Sequence, residues 1–302
     1  MKPARPDLAH SDDPLPRMPP WALSGRGETL EEAAFLSGAA LAHLHVVLKQ
    51  ESVPLALLRE RLTLGAAEAC VSLSGRPERA KELRDEVHLL RRGETPGPGG
   101  AVFQQWREAA SRPISVRGLA KTLSGFAAED IAAWLDAGQG GPVGRASATL
   151  QAVLEADPRA EMAAFILADA ALARALGWDR IVPLLAARLP GRALKESDDA
   201  LRLACHKAIW TAARDATVMA AELARRAARM RAVAPKLRAK GAAKAVELFL
   251  THDALSPSIA LTDPALGIGM SDRAARRLCD RLVDLGAVVE LTGRDSFRLY
   301  GV

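Results

Sequence analysis

The densest chemistry in this sequence lies between Ser271 and Val302, SDRAARRLCDRLVDLGAVVELTGRDSFRLYGV. Four arginines, Arg273, Arg276, Arg277 and Arg281, fall within nine residues. Wound as a helix, Ala275, Leu278, Leu282 and Leu285 recur at spacings of three, four and three and make one apolar stripe, flanked by Cys279. The arginines share the opposite face with Asp280 and Asp284. Guanidinium forks pair with guanine O6 and N7 or clamp a phosphate, and the N-terminal half of a recognition helix is the part that enters a major groove. Ser271 fits the N-cap, Asp272 the positive helix end and Gly286 a left-handed stop.

Beyond Gly286, Ala287–Leu291 and Ser296–Tyr300 alternate as strands, with Phe297 and Leu299 on either side of Arg298. The turn Thr292-Gly293-Arg294-Asp295 sets Arg294 at its tip. A basic amphipathic helix followed by such a hairpin predicts a winged helix-turn-helix. In it Arg273, Arg276 and Arg277 would read bases or phosphates, and Arg281, Arg294 and Arg298 would hold backbone. A second basic block, Arg225 to Lys244, carries eight Lys or Arg and no acid, and Lys240 and Lys244 bring it into the same unit. Two other readings fit this pattern: a solvated face, or a winged helix that docks a protein. RNA fits less well, because one Tyr and 4 % aromatics are too few for a base-stacking platform.

The elements that must position this unit are helical. The chain has 302 residues, 49 % of them apolar, enough for two domains. Residues 1–20, rich in Pro and charge, read as a disordered tail. Residues 21–233 read as an all-α array, because β-branched and aromatic residues are sparse before residue 286. Thr29 with Glu32 predicts a capping box, and Ala33, Leu36, Ala40, Leu44 and Val47 predict the buried face of the helix that follows. Further helices are expected from Pro54 to Gly75, from Pro77 to before Gly93, around Val102–Ala110 and Ala127–Ala137, and from Asp157-Pro158 to Leu176. A short one is expected between Pro183 and Pro190, and Ser197 opens one or two more to Val233. The segments GETPGPGG (93–100) and GQGGPVG (138–144) read as loops. Residues 234–302 would form the winged helix-turn-helix domain, with a first helix at 238–251 and a short second one within 255–270.

Enzymatic chemistry finds little support. Asp85 and His88 stand at i, i+3, but no second carboxylate-x-x-His completes a bridged metal site. His43 and His45 diverge on a helix, as do Cys205 and His206. The glycines of GQGGPVG follow a helix instead of the strand that a dinucleotide site needs. No serine occupies a Gly-x-Ser-x-Gly elbow. No catalytic residue, metal or cofactor is therefore expected, and an enzyme with a site between the helices near Arg84, Asp85 and His88 is the least favoured reading. GRPERAKELRDEVHLL, from Gly75, reads as an Arg–carboxylate network between helices. Net charge is only +5, and Cys70, Cys205 and Cys279 are widely spaced, as buried thiols in a reducing cytoplasm would be. No signal peptide or membrane span is expected. The expected partner is double-stranded DNA, with a protein partner or self-association through the helical array as the alternative.

The segments AAFLSGAALAHL from Ala33, SGRPERAKELRDEVHLL from Ser74, GPGG from Gly97, APKLRAKGA from Ala234 and the terminal thirty-two residues resemble domain-of-unknown-function family 1403. The resemblance runs from about Trp21 to Val302. It implies an alphaproteobacterial, often plasmid-encoded protein and carries over no catalytic residue. Cys279 stands where the family pattern has Phe, and Val289 where it has Arg, which removes one basic contact on the hairpin.

Overall fold

The computed structural model describes residues 15–91 and 93–302. The chain is mainly helical: α1 (Pro20–Leu23), α2 (Leu30–Leu48), α3 (Leu55–Leu73), α4 (Ala80–His88), α5 (Pro98–Ser111), α6 (Val116–Thr122), α7 (Ala128–Leu135), α8 (Pro142–Ala156), α9 (Glu161–Ala175), α10 (Asp198–Val233), α11 (Ala242–Phe249) and α12 (Asp272–Asp284). Two short strands, β1 (Val289–Glu290) and β2 (Tyr300–Gly301), pair antiparallel.

Helix α2 buries Ala33, Leu36, Ala40, Leu44 and Val47, the stripe expected from its spacing. Its N-terminus departs from a full capping box. Thr29 Oγ1 accepts from the Glu32 amide at 3.2 Å, but the Glu32 carboxylate turns to the amides of Arg26 and Glu28. Helix α9 is buried at every position from Ala163 to Ala173, as a helix apolar on all sides must be. Its one acid, Asp169, accepts from the Leu184 and Leu185 amides at 3.1 and 3.2 Å, and burial pushes its carboxyl up to about 7 against those two bonds. These bonds hold residues 181–189 in a non-helical path, so the helix expected between Pro183 and Pro190 does not form.

Other boundaries also differ from expectation. Both glycine-rich segments feed directly into helices, with Pro98 and Pro142 each in the first helical position. Asp157 ends α8 instead of starting a helix, and α4 begins at Ala80, three residues after Pro77. Of the expected tail, residues 1–14 lie outside the described residues. The remainder is ordered into the fold: Leu15 is buried, and the Ala22 carbonyl accepts from Trp210 Nε1 at 2.9 Å.

Two apolar cores result. The first gathers α2 to α9 and the front half of α10. The second joins Leu15, Val47, Leu57, Leu58, Leu223 and Met230 to Phe249, Leu278, Leu282 and Tyr300, so it crosses the boundary expected at residue 234. Helix α10, one unbroken element of 36 residues and therefore about 54 Å long, runs through both. All three cysteines are buried and free. Cys70 and Cys205 lie in the first core and Cys279 in the second, and burial raises each thiol to about 12.

The second core is tied to the body by charge. Asp253, fully buried, sits between Arg61 of α3 and Arg84 of α4, whose Nε donates to it at 2.6 Å. Burial alone would raise this carboxyl, but Arg61, Arg84 and His88 together hold it below the usual carboxylate range. Arg61 also donates to the main-chain oxygen of Val302 at 2.9 Å. Nearby, burial and then the charge of Arg107 push the His88 imidazole down to about 3, and it rests against Phe103.

Asp253→Ala leaves two poorly solvated guanidinium groups facing each other, and chemical denaturation should register a loss of ~3–5 kcal/mol. His88 has a second signature. Its folded value near 3 lies below the 6.5 of the unfolded chain, so only the unfolded state takes up the proton between them. Each pH unit below about 6.5 then lowers stability by ~1.4 kcal/mol until the folded group titrates. Subtracting the stability–pH curve of His88→Leu from that of the wild type should isolate this slope.

Candidate nucleic-acid interface

Helix α12 is closed at both ends by its own sequence. Ser271 Oγ accepts from the Ala274 amide at 3.3 Å. At the other end Gly286 (φ 63°) lets its amide reach Val283 O at 2.8 Å and the Ala287 amide reach Leu282 O at 2.9 Å, a Schellman stop. Ala275, Leu278, Cys279 and Leu282 are buried in the second core. The opposite face is exposed and holds Arg273, Arg276, Arg277 and Arg281. Arg276 pairs with Asp272 one turn earlier, at 2.9 Å. Arg273, Arg277 and Arg281, each four residues from the next, make no ion pair or hydrogen bond among the described residues.

The segment before α11 runs beside the start of α12. Gly241 (φ 86°) lies so close to Ile268 and Met270 that a Cβ there would meet them at 3.4 and 3.3 Å. Lys240, next to it, is exposed, as are Lys236 and Arg238, and none of the three is paired among the described residues. Lys236 and Arg238 belong to the acid-free basic block of the sequence, though only Lys240 and Lys244 of it are expected contacts. Lys244, by contrast, pairs with Glu247 at 2.8 Å.

The hairpin differs from expectation. The second strand covers only Tyr300–Gly301, because Phe297 takes a left-handed conformation (φ 54°) that breaks the alternation and leaves its ring exposed. Tyr300 pairs with Glu290 on one side. On the other it exchanges two backbone bonds with Leu255, at 2.9 and 3.0 Å, so the lateral order is 255, 300, 290. Residues 255–270 hold turns and a 3-10 turn at Pro264–Leu266 where a second α-helix was expected. Arg294 does not stand free at a tip. Its guanidinium pairs with Asp85 of α4, a partly buried carboxylate, and the turn is drawn onto the body. Arg298 Nε donates to the Arg294 carbonyl at 2.8 Å and braces that turn.

Several residues considered for metal chemistry are engaged otherwise, whereas the buried Nε2 atoms of His43 and His88 have no hydrogen-bond partner among the described residues. Asp85 serves Arg294, and His88 is buried against a ring. His45 Nδ1 accepts from Trp178 Nε1 at 2.9 Å, and His206 Nδ1 lies 2.7 Å from Ser37 Oγ. Among the described residues no three His, Cys, Asp or Glu are grouped to hold a metal ion, and no helix is long and apolar enough to cross a membrane. From Gly75 onward, Arg76 pairs with Glu78 before α4, while Arg84 and Asp85 of α4 pair with Asp253 and Arg294 in non-helical segments, so the charges join α4 to the C-terminal unit and not helix to helix as expected.

A search of curated proteins finds no match. A family model described as "Protein of unknown function (DUF1403)" matches residues 6–302, nearly the whole chain. The chain therefore belongs to the DUF1403 family.

Proposed function

We propose that this chain is a non-enzymatic protein that binds double-stranded DNA through α12, in transcription control or plasmid maintenance. One observation carries the reading: Arg273, Arg277 and Arg281 stand unpaired along the outward face of a helix whose other face is buried. Their four-residue spacing sets successive guanidinium groups about 6 Å apart along the axis, so three cover roughly 12 Å. That reach suits several phosphates or base edges in a major groove about 12 Å wide. Lys236, Arg238 and Lys240 add charge beside the N-terminal end of α12, the end that enters a groove in helix-turn-helix docking. The strand order 255, 300, 290 after an intervening α12 also supports a winged-helix arrangement. Arg294, held by Asp85, has no part in it as the protein stands.

A second reading, that the body binds a protein or another copy, rests on exposed apolar groups: Trp21 stacked on Phe35 at 5.5 Å, with Leu23 and Val218 also exposed.

The test uses the full chain, since the second core needs α10. Fluorescence anisotropy on a labelled mixed-sequence duplex across a salt series should give a log–log slope near −0.9 per phosphate neutralised. Changing Arg273, Arg277 and Arg281 together to Ala should flatten that slope by about 2.7 and weaken binding at every salt concentration. Stability should change by no more than about 0.5 kcal/mol per site, because these side chains are exposed and make no ion pair or hydrogen bond among the described residues. An unchanged slope and affinity would remove α12 from the interface.

A further inference from the structure

A cavity of about 1050 Å³ opens between α2, the turn into α8, the end of α9 and the first turns of α10, far in sequence from α12. That is the size of a small-molecule site, at the upper end of the usual ~300–1,000 Å³. Its walls are largely apolar, with Leu30, Leu41, Val143 and Leu176 among them, and His45, Arg202 and His206 also line it.

The hydrogen-bond network assigns the two imidazoles opposite roles. Trp178 Nε1 donates to His45 Nδ1, so the His45 proton is on Nε2, a donor. Ser37 Oγ lies 3.0 Å from the Ala34 carbonyl and 2.7 Å from His206 Nδ1; with its proton on the carbonyl it accepts from His206 Nδ1–H, and His206 Nε2 is then an acceptor. Burial, and then the neighbouring Arg202, hold His206 below its ordinary value, which favours the neutral ring. Among the described residues, Arg202 is the permanent cation of the lining. Its partner Asp199, 2.7 Å away, is mostly exposed and gives only a screened, replaceable contact. Glu31, the acid among the described lining residues, is exposed as well.

The backbone keeps this space open. Gly38 lies in the interior of α2, where glycine weakens a helix relative to alanine, yet a Cβ there would meet nothing within 4 Å. Gly140 and Gly141, across the cavity, are equally unobstructed.

We infer that this cavity binds a small amphipathic carboxylate. Its acid group meets Arg202 and His45 Nε2–H, a hydroxyl close to the acid donates to His206 Nε2, and its apolar chain lies along Leu30, Leu41, Val143 and Leu176. The site is separate from α12 and stands or falls independently of DNA binding.

Decanoate, 3-hydroxydecanoate and 1-decanol serve as probes on the full chain, by calorimetry and by tryptophan emission. Saturable binding of one molecule per chain is expected. The hydroxy acid should bind tightest and the alcohol about tenfold or more weaker than decanoate, with an emission change that Trp178→Phe removes. Arg202→Gln should weaken both acids about tenfold and leave the alcohol unchanged. Gly38→Leu fills the cavity from a position with room for a side chain, so it should abolish binding while the circular dichroism and melting temperature hold or rise. The inference is overturned if none of the three probes binds saturably, if alcohol and acid bind alike, or if Gly38→Leu binds as the wild type does.

Discussion

One buried carboxylate, Asp253 between Arg61 and Arg84, sets where the segment after α10 can sit. It comes two residues before Leu255, which lies beside Tyr300 at the centre of the small sheet. Gly301 passes so close that a Cβ would lie 2.7 Å from the Asp253 carbonyl, so the strand needs a glycine there to approach the clamp. Arg61 holds the chain a second time, at Val302. The clamp is costly to desolvate and is compensated only while all three groups are present. Through it the helical body decides which way α12 presents its arginines.

Much of this was legible in the sequence. The buried stripe of α2, the long α10 and the capped, two-faced α12 each follow from local rules: apolar spacing, a serine cap, a glycine stop. What local rules miss is long-range. Nothing near Arg294 in sequence says that Asp85 will claim it across 209 positions. Likewise, the short helix expected between two prolines gives way because a distant acid on α9 takes the amides of Leu184 and Leu185. Asp157-Pro158 has the composition of a helix start, but Asp157 receives the end of α8, whose own start lies inside a run of glycines. Gly138 in that run belongs there for a spatial reason. A Cβ on it would come within 2.6 Å of Arg145.

The two cores are less separate than the composition break near Pro235 suggests. Helix α10 contributes Ala208, Ile209 and Ala213 to one and Leu223, Ala224 and Met230 to the other, and Arg229 reaches the Gly286 carbonyl at 3.4 Å, just where α12 stops. The small C-terminal unit supplies Phe249, Leu261, Leu278, Leu282 and Tyr300 to its own interior but does not close it alone. It completes its interior with apolar side chains of α2, α3 and α10.

The three thiols give this arrangement a chemical readout. Each is shielded from solvent and far too weakly acidic to form thiolate in the closed chain, so alkylating or disulfide-exchange reagents react only with conformations that open. Cys279 answers for the interior beneath the arginine helix, and Cys70 and Cys205 for that of the body. Three buried thiols thus carry a natural record of whether the two halves breathe together or apart.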